Sequence, residues 1–349
     1  MGATRAATDA AGCFSRAHRT GYPPKPSVSM TGMPRPIVMD VDTGTDDALA
    51  ILYAVRHPDL QLLGITCVAG NVSVDQAVLN TCKVLDVARA RDIPVATGAA
   101  HPLNEQGARK SGSHGLDGLG GISLPATSRQ RSPMPAVEML NQLIMGSAER
   151  VSLIALGPKT NLALLLKRYP EVVTRLEQII FMGGSTSEAV PEFNVRYDPE
   201  AALDVIESVV QITMYGFDLF GQLAIDRADV DRFRNHDHPA IRLTGELLDR
   251  RRSSSATGDY LGLLGDAGAM VLLTNPELFV TRELPVRINL EGVGRGQTII
   301  DRRATLSENS RRSNASSMIN VVLDLDAGKA ASAFVQTISA YAASANNHS

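Results

Sequence analysis

The segment Pro36-Ile-Val-Met-Asp-Val-Asp-Thr-Gly-Thr-Asp-Asp-Ala48 contains the change of pattern that decides the fold. Its first six residues are a short apolar run, which predicts a buried strand. A turn with a glycine follows, and residues 46–57 then have their apolar side chains at helical spacing. A buried strand that leads directly into a helix is typical of α/β proteins.

The same alternation continues along the chain. Four more strands and four more helices are predicted, the strands at 62–69, 151–156, 179–182 and 210–215 and the helices at 74–90, 134–148, 160–168 and 199–207. Short apolar strands between amphipathic helices predict a mostly parallel sheet that is covered on both faces. Since no internal repeat or linker follows Pro36, we expect one α/β domain at residues 35–345, with an open, Rossmann-like core.

Composition excludes several classes of protein. The 349 residues have a net charge of −3, which does not favour binding to nucleic acid. No apolar run reaches the roughly 18 residues that span a bilayer, so no contact with a membrane is expected. The three cysteines are scattered and predict neither a disulfide framework nor a thiolate zinc site, which favours the reducing cytoplasm: Cys13, Cys67 and Cys82.

Residues 1–34 lack the apolar core of a signal peptide and have no hydrophobic periodicity. We expect a disordered extension there, or a start codon assigned too far upstream, with Met30 or Met33 as the true start.

Four aspartates lie within eight residues at the end of the first strand: Asp40, Asp42, Asp46 and Asp47. A helix N-terminus stabilises an anion by about 0.3–1 kcal/mol, which is too little for four carboxylates. A divalent cation would compensate their repulsion, and all-oxygen ligands favour Ca²⁺ or Mg²⁺. The alternative is that Asp46 and Asp47 cap the helix while Asp40 and Asp42 are solvated in a turn.

The segment 37–48 strongly resembles the DxDxGxDDA signature of the inosine-uridine nucleoside hydrolase family. Five further segments resemble motifs of that family, in the same order: 69–72 (AGNV), 113–120 (SHGLDGLG), 155–163 (ALGPKTNLA), 181–184 (FMGG) and 191–201 (PEFNVRYDPEA). The resemblance implies a nucleoside hydrolase-like fold and hydrolysis of the N-glycosidic bond of ribonucleosides to free base and ribose. It also implies a homodimer or homotetramer.

The resemblance further implies a Ca²⁺ ion at the bottom of the pocket. Its ligands would be Asp42, Asp47, the main-chain carbonyl of Leu156 and Asp266. The ion would bind the sugar hydroxyls and acidify a water, from which Asp42 would take a proton as general base. His114 would face the leaving base. The remaining substrate contacts would come from Asp46, Asn71, Met182, Glu192, Asn194 and Asp266.

Two positions depart from the family pattern. The segment after Gly184 is shorter and lacks the asparagine that contacts the ribose 5′-hydroxyl; Thr186 or Ser187 is nearest. Gly265 stands where relatives often have a histidine that helps to protonate the leaving base. Tyr260 is another candidate base contact, and the choice between purine and pyrimidine stays open.

Two other functions compete with this interpretation. Asp40-Val-Asp42 after a strand is similar to the nucleophile motif of haloacid-dehalogenase-like phosphatases, although Gly44 stands where that motif has Thr or Val. The second alternative is a non-catalytic homologue that binds nucleosides or ribose, which Gly265 and the shortened loop would favour.

Overall fold

The computed structural model describes residues 33–90, 93–104, 112–188, 190–254, 260–303 and 317–344. In these residues the strands are β1 Arg35–Val41, β2 Leu60–Cys67, β3 Val95–Thr97, β4 Val151–Ala155, β5 Leu176–Met182, β6 Ile212–Tyr215, β7 Ala224–Asp226, β8 Arg252–Ser254, β9 Tyr260–Leu263, β10 Phe279–Ile288, β11 Thr298–Ile300 and β12 Ser317–Leu325. The helices are α1 Thr45–Arg56, α2 Val74–Val87, α3 Ala136–Gly146, α4 Thr160–Arg168, α5 Phe193–Tyr197, α6 Pro199–Ile206, α7 Arg227–Arg234, α8 Pro239–Arg250, α9 Ala267–Thr274, α10 Ala327–Ser339 and α11 Tyr341–Ser344.

The main sheet is mostly parallel, as predicted. Across the described residues it has nine strands in the order β11-β10-β12-β6-β5-β4-β1-β2-β3. Neighbouring strands are parallel from β12 through β6, β5, β4, β1 and β2 to β3. Strand β10 pairs antiparallel with both β11 and β12. The strand order reverses between β1 and β4, and such a reversal opens a crevice at the carboxyl ends of the strands.

Strand β1 lies at the centre of the sheet and packs on both faces. Ile37, Met39 and Val41 belong to one hydrophobic cluster, and Val38 between them belongs to the cluster on the opposite face. All four side chains are fully buried. Because successive side chains of a strand point to opposite faces, a strand with helices on both sides must be apolar throughout, as β1 is.

Helix α1 is held by the C-terminal part of the chain as well as by the sheet. Its residues from Thr45 to Ala54 are buried. The hydroxyl of Tyr341 in α11 donates a hydrogen bond of 2.8 Å to the carbonyl of Leu52, across 289 positions of sequence. Helix α1 is therefore packed between segments from both ends of the described chain.

The predicted elements are present with small shifts of their ends, and helix α4 has the predicted bounds. The sequence did not predict the antiparallel strands β10–β12 or the separate antiparallel sheet with the order β7-β9-β8. The expected extension at 1–34 lies almost wholly outside the described residues. Within the described ranges, every helix is too short or too polar to cross a bilayer.

Candidate functional site

A cavity of about 460 Å³ opens at the carboxyl edge of the sheet. Asp42, directly after β1, and Leu156, directly after β4, both line it, so the cavity lies at the point where the strand order reverses. Nine of the ten residues that the sequence proposes for the site line this cavity: Asp42, Asp46, Asn71, His114, Leu156, Met182, Glu192, Asn194 and Asp266. The tenth, Asp47, is fully buried.

Three carboxylates converge at the N-terminal ends of α1 and α9. Asp46, Asp47 and Asp266 each have an oxygen within 4.8 Å of the others, although Asp266 is far from the other two in sequence. The backbone N–H of Gly44 donates to Asp47 Oδ2 at 2.8 Å. Asp46 Oδ1 and Asp47 Oδ1 are buried and have no hydrogen-bond partner among the described residues. Arg251 Nη2 lies 3.2 Å from Asp46 Oδ2, but the two Oδ1 atoms lack such a partner within the described ranges and could be ligands of a bound cation.

Asp42 lies beside this group, and its orientation is fixed by the chain that follows β2. The backbone N–H of Asn71 donates to Asp42 Oδ2 at 2.6 Å. Gly70 makes this approach possible, because a Cβ at that position would lie 2.1 Å from Asp42 Oδ2. Burial raises the pKa of Asp42 to about 7, with Asp46 adding to the rise and the Asn71 N–H opposing it. A carboxyl with this pKa is suited to exchange a proton near neutral pH.

Two of the three carboxylates of the cluster are perturbed in the same way, whereas the pKa of Asp46 is lowered, because the effect of burial is outweighed by its neighbours, with the charge of Arg251 foremost. Burial raises the pKa of Asp47 and of Asp266 well above the usual range, and the neighbouring aspartates raise both further. This mutual repulsion is what a bound divalent cation relieves, and hard oxygen ligands fit Ca²⁺ or Mg²⁺. The group found here includes Asp46, which the family resemblance implied only as a substrate contact, and does not include Asp42, which the resemblance implied as a ligand. The residues therefore fit a metal site.

Asp40 has a different role from the other aspartates. It is fully buried, and its Oδ1 accepts hydrogen bonds from Thr66 Oγ1 at 2.5 Å and from Asn161 Nδ2 at 2.7 Å. It thus joins β1 to β2 and α4. The alternative in which Asp40 and Asp42 are solvated in a turn is wrong, because only 1% of Asp42 is exposed.

Glu192 and Asn194 form the wall of the cavity next to β4 and β5. The Glu192 carboxylate accepts the N–H groups of Gly184, Asn194 and Val195 at 2.9–3.1 Å, so it caps α5 and is rigidly oriented. Asn194 Nδ2 donates to the carbonyl of Leu156 at 2.6 Å. Since a carbonyl oxygen has two lone pairs, Leu156 retains one for another partner.

A buried lysine lies behind this wall and was not anticipated from the sequence. Lys159 is fully buried, and its Nζ donates to the carbonyls of Gly157 and Met182, the latter at 2.7 Å. Burial lowers its pKa to about 8, against the opposing effect of Glu192, Asp40, Asp42 and Asp266. The ammonium is thus a fixed countercharge to the acidic site.

His114 packs against the N-terminus of α1. The backbone N–H of Thr45 donates to His114 Nδ1 at 3.2 Å, and Thr45 Oγ1 lies 2.9 Å from the same nitrogen. Because a backbone N–H can only donate, Nδ1 is an acceptor and the ring proton is on Nε2. Burial lowers the pKa of His114, and Arg251 lowers it further against the opposing effect of Asp46. The ring is therefore neutral at pH 7.

The comparisons with known proteins agree with this geometry. The family model described as "Inosine-uridine preferring nucleoside hydrolase" matches residues 37–332. The chain belongs to this family of nucleoside hydrolases. The family also excludes the haloacid-dehalogenase alternative, in which Asp40 would have been a nucleophile.

Individual relatives of this nucleoside hydrolase are similar over most of its length. The pyrimidine-specific ribonucleoside hydrolase RihA of Shewanella sp. (strain MR-7) is 37% identical over 278 residues, which are 77% of this chain and 87% of the relative. A solved inosine-guanosine nucleoside hydrolase has a TM-score of 0.79 at 27% identity, covering 87% of this chain and 98% of its own. A purine-preferring ribonucleoside hydrolase from Gardnerella vaginalis has a TM-score of 0.77 at 26% identity, covering 88% and 99%.

The loop that follows Gly184 in this nucleoside hydrolase is folded around Asp218. Asp218 accepts hydrogen bonds from Ser185 Oγ at 2.8 Å and from the N–H groups of Thr186 and Ser187 at 2.6 and 3.0 Å. Ser185 and Glu188 line the cavity, rather than Thr186 or Ser187, which the sequence had suggested as replacements for the missing asparagine. Thr298 of β11 secures the loop from the other side, because its Oγ1 accepts from Ser185 N at 2.9 Å.

The cavity also has lining residues that the sequence did not point to. They include Arg251 and the aromatic side chains Phe193, Phe217 and Phe220. Phe193 lies within the 191–201 motif, between two predicted contacts, whereas Arg251, Phe217 and Phe220 come from segments without a local signal. The side chain of Tyr260 lies outside the described residues, as do residues 255–259 of the neighbouring segment.

Proposed function

We propose that this enzyme hydrolyses the N-glycosidic bond of ribonucleosides to free nucleobase and ribose, with Asp42 as general base and Ca²⁺ as cofactor. One observation carries the proposal: Asp42, Asp46 and Asp266 line the same cavity at the switch point of the sheet, with Asp47 buried beside them. A cluster of carboxylates in a closed site can bind a cation, accept a proton and stabilise positive charge on a sugar.

Asp42 is suited to take the proton of the attacking water. Its carboxylate lines the cavity, and the Asn71 N–H holds one of its oxygens in a fixed direction. The bond from C1′ to the base nitrogen breaks while the water oxygen joins C1′, and the transition state has the character of a ribosyl cation. The surrounding carboxylates stabilise that developing positive charge.

The proposed ligands of the cation are Asp42, Asp47, Asp266 and the carbonyl of Leu156. These four protein ligands, together with the ribose hydroxyls and water, would supply the six to eight oxygen ligands that Ca²⁺ takes. When bound, the ion would orient the ribose diol and lower the pKa of a water.

The remaining polar groups on the wall would orient the ribose. Asn71 and Asn194 present amide groups to the cavity, and Glu192 presents a carboxylate with one of its four acceptor sites still unused by the backbone. Phe193, Phe217 and Phe220 supply an apolar wall for the base. The relatives named above act on pyrimidine or on purine nucleosides, so we propose ribonucleosides as the class and leave the base open.

A substrate panel tests this function. Inosine, uridine, adenosine and cytidine would be incubated with the full chain, and free base and reducing sugar would be quantified. We expect release from at least one nucleoside, loss of activity with a chelator, and recovery with Ca²⁺ but much less with Mg²⁺. Asp42→Ala should reduce turnover by several orders of magnitude and leave the fold intact, with the exposed Asp204→Ala on α6 as matched control.

The outcomes also separate the non-catalytic alternative. If nucleosides bind with measurable heat but no base is released, the protein is a binding homologue and the proposed function is wrong. If Asp42→Ala retains near wild-type turnover, another group is the base.

A further inference from the structure

Gly265 lies directly before Asp266 and next to Arg251, whose side chain lines the cavity. Gly265 has φ +55, and a Cβ built on it would lie 2.7 Å from Arg251 Nη2 and 2.7 Å from Asp46 Oδ2. No side chain therefore fits at position 265 while Arg251 keeps its present contact with Asp46. The absence of a side chain at Gly265 therefore leaves the space in which Arg251 lies.

Arg251 is held against the cavity by the first turn of α1. Its Nη2 lies 3.2 Å from Asp46 Oδ2, and its Nη1 donates to Thr45 Oγ1 at 3.4 Å. Only 14% of its side chain is exposed, and the side chain lines the cavity. A guanidinium has five N–H donors, and Nε has no hydrogen-bond partner among the described residues. Because Nε is buried and one N–H of each Nη group is directed to Asp46 or Thr45, the remaining Nη N–H groups are the donors left for a ligand in the cavity.

The neighbouring histidine is a poor source of a proton. Nδ1 of His114 accepts the N–H of Thr45, so the ring carries its proton on Nε2 in this arrangement, and donation of that proton would leave an imidazolate. Glycine at 265 cannot donate either. A base that receives no proton from either of these two positions departs with negative charge, which a cation at the cavity can stabilise.

We propose that Arg251 receives the departing nucleobase and stabilises its negative charge, and that Gly265 gives Arg251 access to that position. This inference rests on the proposed function. As the C1′–N bond breaks, its electron pair leaves with the base as an anion. The hydroxyl of water joins C1′, and the proton of that water goes to Asp42. The guanidinium holds the base anion by charge-assisted hydrogen bonds until solvent protonates the base, and Asp42 returns its proton to solvent.

The test compares two leaving groups. Inosine and uridine lose a base that departs as an unstable anion, whereas p-nitrophenyl riboside loses a stable phenolate that needs no stabilisation. Arg251→Ala should lower kcat/KM for the better nucleoside about 10²–10³-fold, the range found when a charge-stabilising donor is removed. The same variant should lower kcat/KM for p-nitrophenyl riboside less than about tenfold. Added guanidinium ion should restore part of the nucleoside activity.

Matched variants isolate the effect. Arg250→Ala changes the exposed neighbour of Arg251 at the end of α8 and should leave kcat/KM unchanged for both substrates. Gly265→Ala should reproduce the selective loss, and the double variant should lose little more than Arg251→Ala alone, because both changes remove the same contact. Gly146→Ala, where an added Cβ meets open space, is the control for the glycine.

The results can separate three cases. Equal losses on both riboside classes, or a fall in Ca²⁺ affinity of Arg251→Ala that matches its loss of activity, would overturn the proposal, because Arg251 would then act only through Asp46. A wild-type enzyme that hydrolyses p-nitrophenyl riboside and a nucleoside, with selective loss in Arg251→Ala, supports it. A wild-type protein that cleaves neither overturns the proposed function itself.

Discussion

Ca²⁺ binding should weaken as pH falls, because the proposed ligands are protonated in the metal-free protein. Burial raises the pKa of Asp42 to about 7. Binding requires the ionised carboxylate, which with this pKa is about one part in eleven at pH 6 and about ten in eleven at pH 8. From Asp42 alone, the Kd for Ca²⁺ should be about tenfold higher at pH 6 than at pH 8, equivalent to about 1.4 kcal/mol.

The sign follows from linkage. A carboxyl whose folded pKa is raised stabilises the metal-free fold below its unfolded pKa of 3.8, and this contribution is lost as pH rises through about 7. Ca²⁺ should therefore raise Tm more at pH 8 than at pH 6. The raised pKa values of Asp47 and Asp266 act in the same direction, so tenfold is the smallest change expected.

Calorimetric titration at both pH values, each in two buffers with different heats of ionisation, measures the Kd and the number of protons released. Asp42→Asn should bind Ca²⁺ more weakly but with a smaller dependence on pH, whereas the exposed Asp204→Asn should behave as wild type. An equal Kd at pH 6 and pH 8, or binding without proton release, would refute the reasoning.

Three further predictions follow from the buried polar groups. A lysine with a lowered pKa destabilises the fold below that pKa, so the unfolding free energy of the wild type should rise by about 3 kcal/mol between pH 8 and pH 10.5. This rise should be absent in Lys159→Met. Urea unfolding with chelator at both pH values measures it. Asp218→Ala should raise KM more than it lowers kcat and should cost about 1–3 kcal/mol, because the loop of Ser185 loses its acceptor; steady-state kinetics and urea unfolding check both. Glu192→Gln should lower Tm, because the NH₂ group of the new amide would face backbone N–H donors. The exposed Glu277→Gln should leave Tm unchanged, and calorimetry compares the two variants.

The sequence predicted the parallel half of the fold because that half has a simple pattern. A strand covered on both faces is apolar throughout, as β1 is, and the spacing of apolar residues changes visibly where α1 begins. Strand β10 has no such pattern. Its sequence FVTRELPVRI includes charged residues and Pro285, because part of the strand is exposed. Mixed burial of this kind cannot be distinguished from a loop by local periodicity.

The site was predictable where the sequence groups carboxylates closely together or matches a motif of the family. Asp42, Asp46 and Asp47 stand out because three carboxylates lie within one turn and a helix start. Arg251 does not stand out, since its contact with Thr45 joins positions 206 residues apart and nothing near it in sequence indicates its direction. The one available signal was Gly265, whose missing side chain calls for a compensating group nearby.

The link between Tyr341 and Leu52 has a consequence for biosynthesis. Helix α1 leaves the ribosome early, but Tyr341, which donates a hydrogen bond to Leu52 of this helix, is translated 289 positions after Leu52. One flank of α1 therefore remains without this contact until Tyr341 has been translated. We expect messages truncated ahead of this tyrosine to yield polypeptides that fold incompletely and are degraded, rather than shorter enzymes with partial activity.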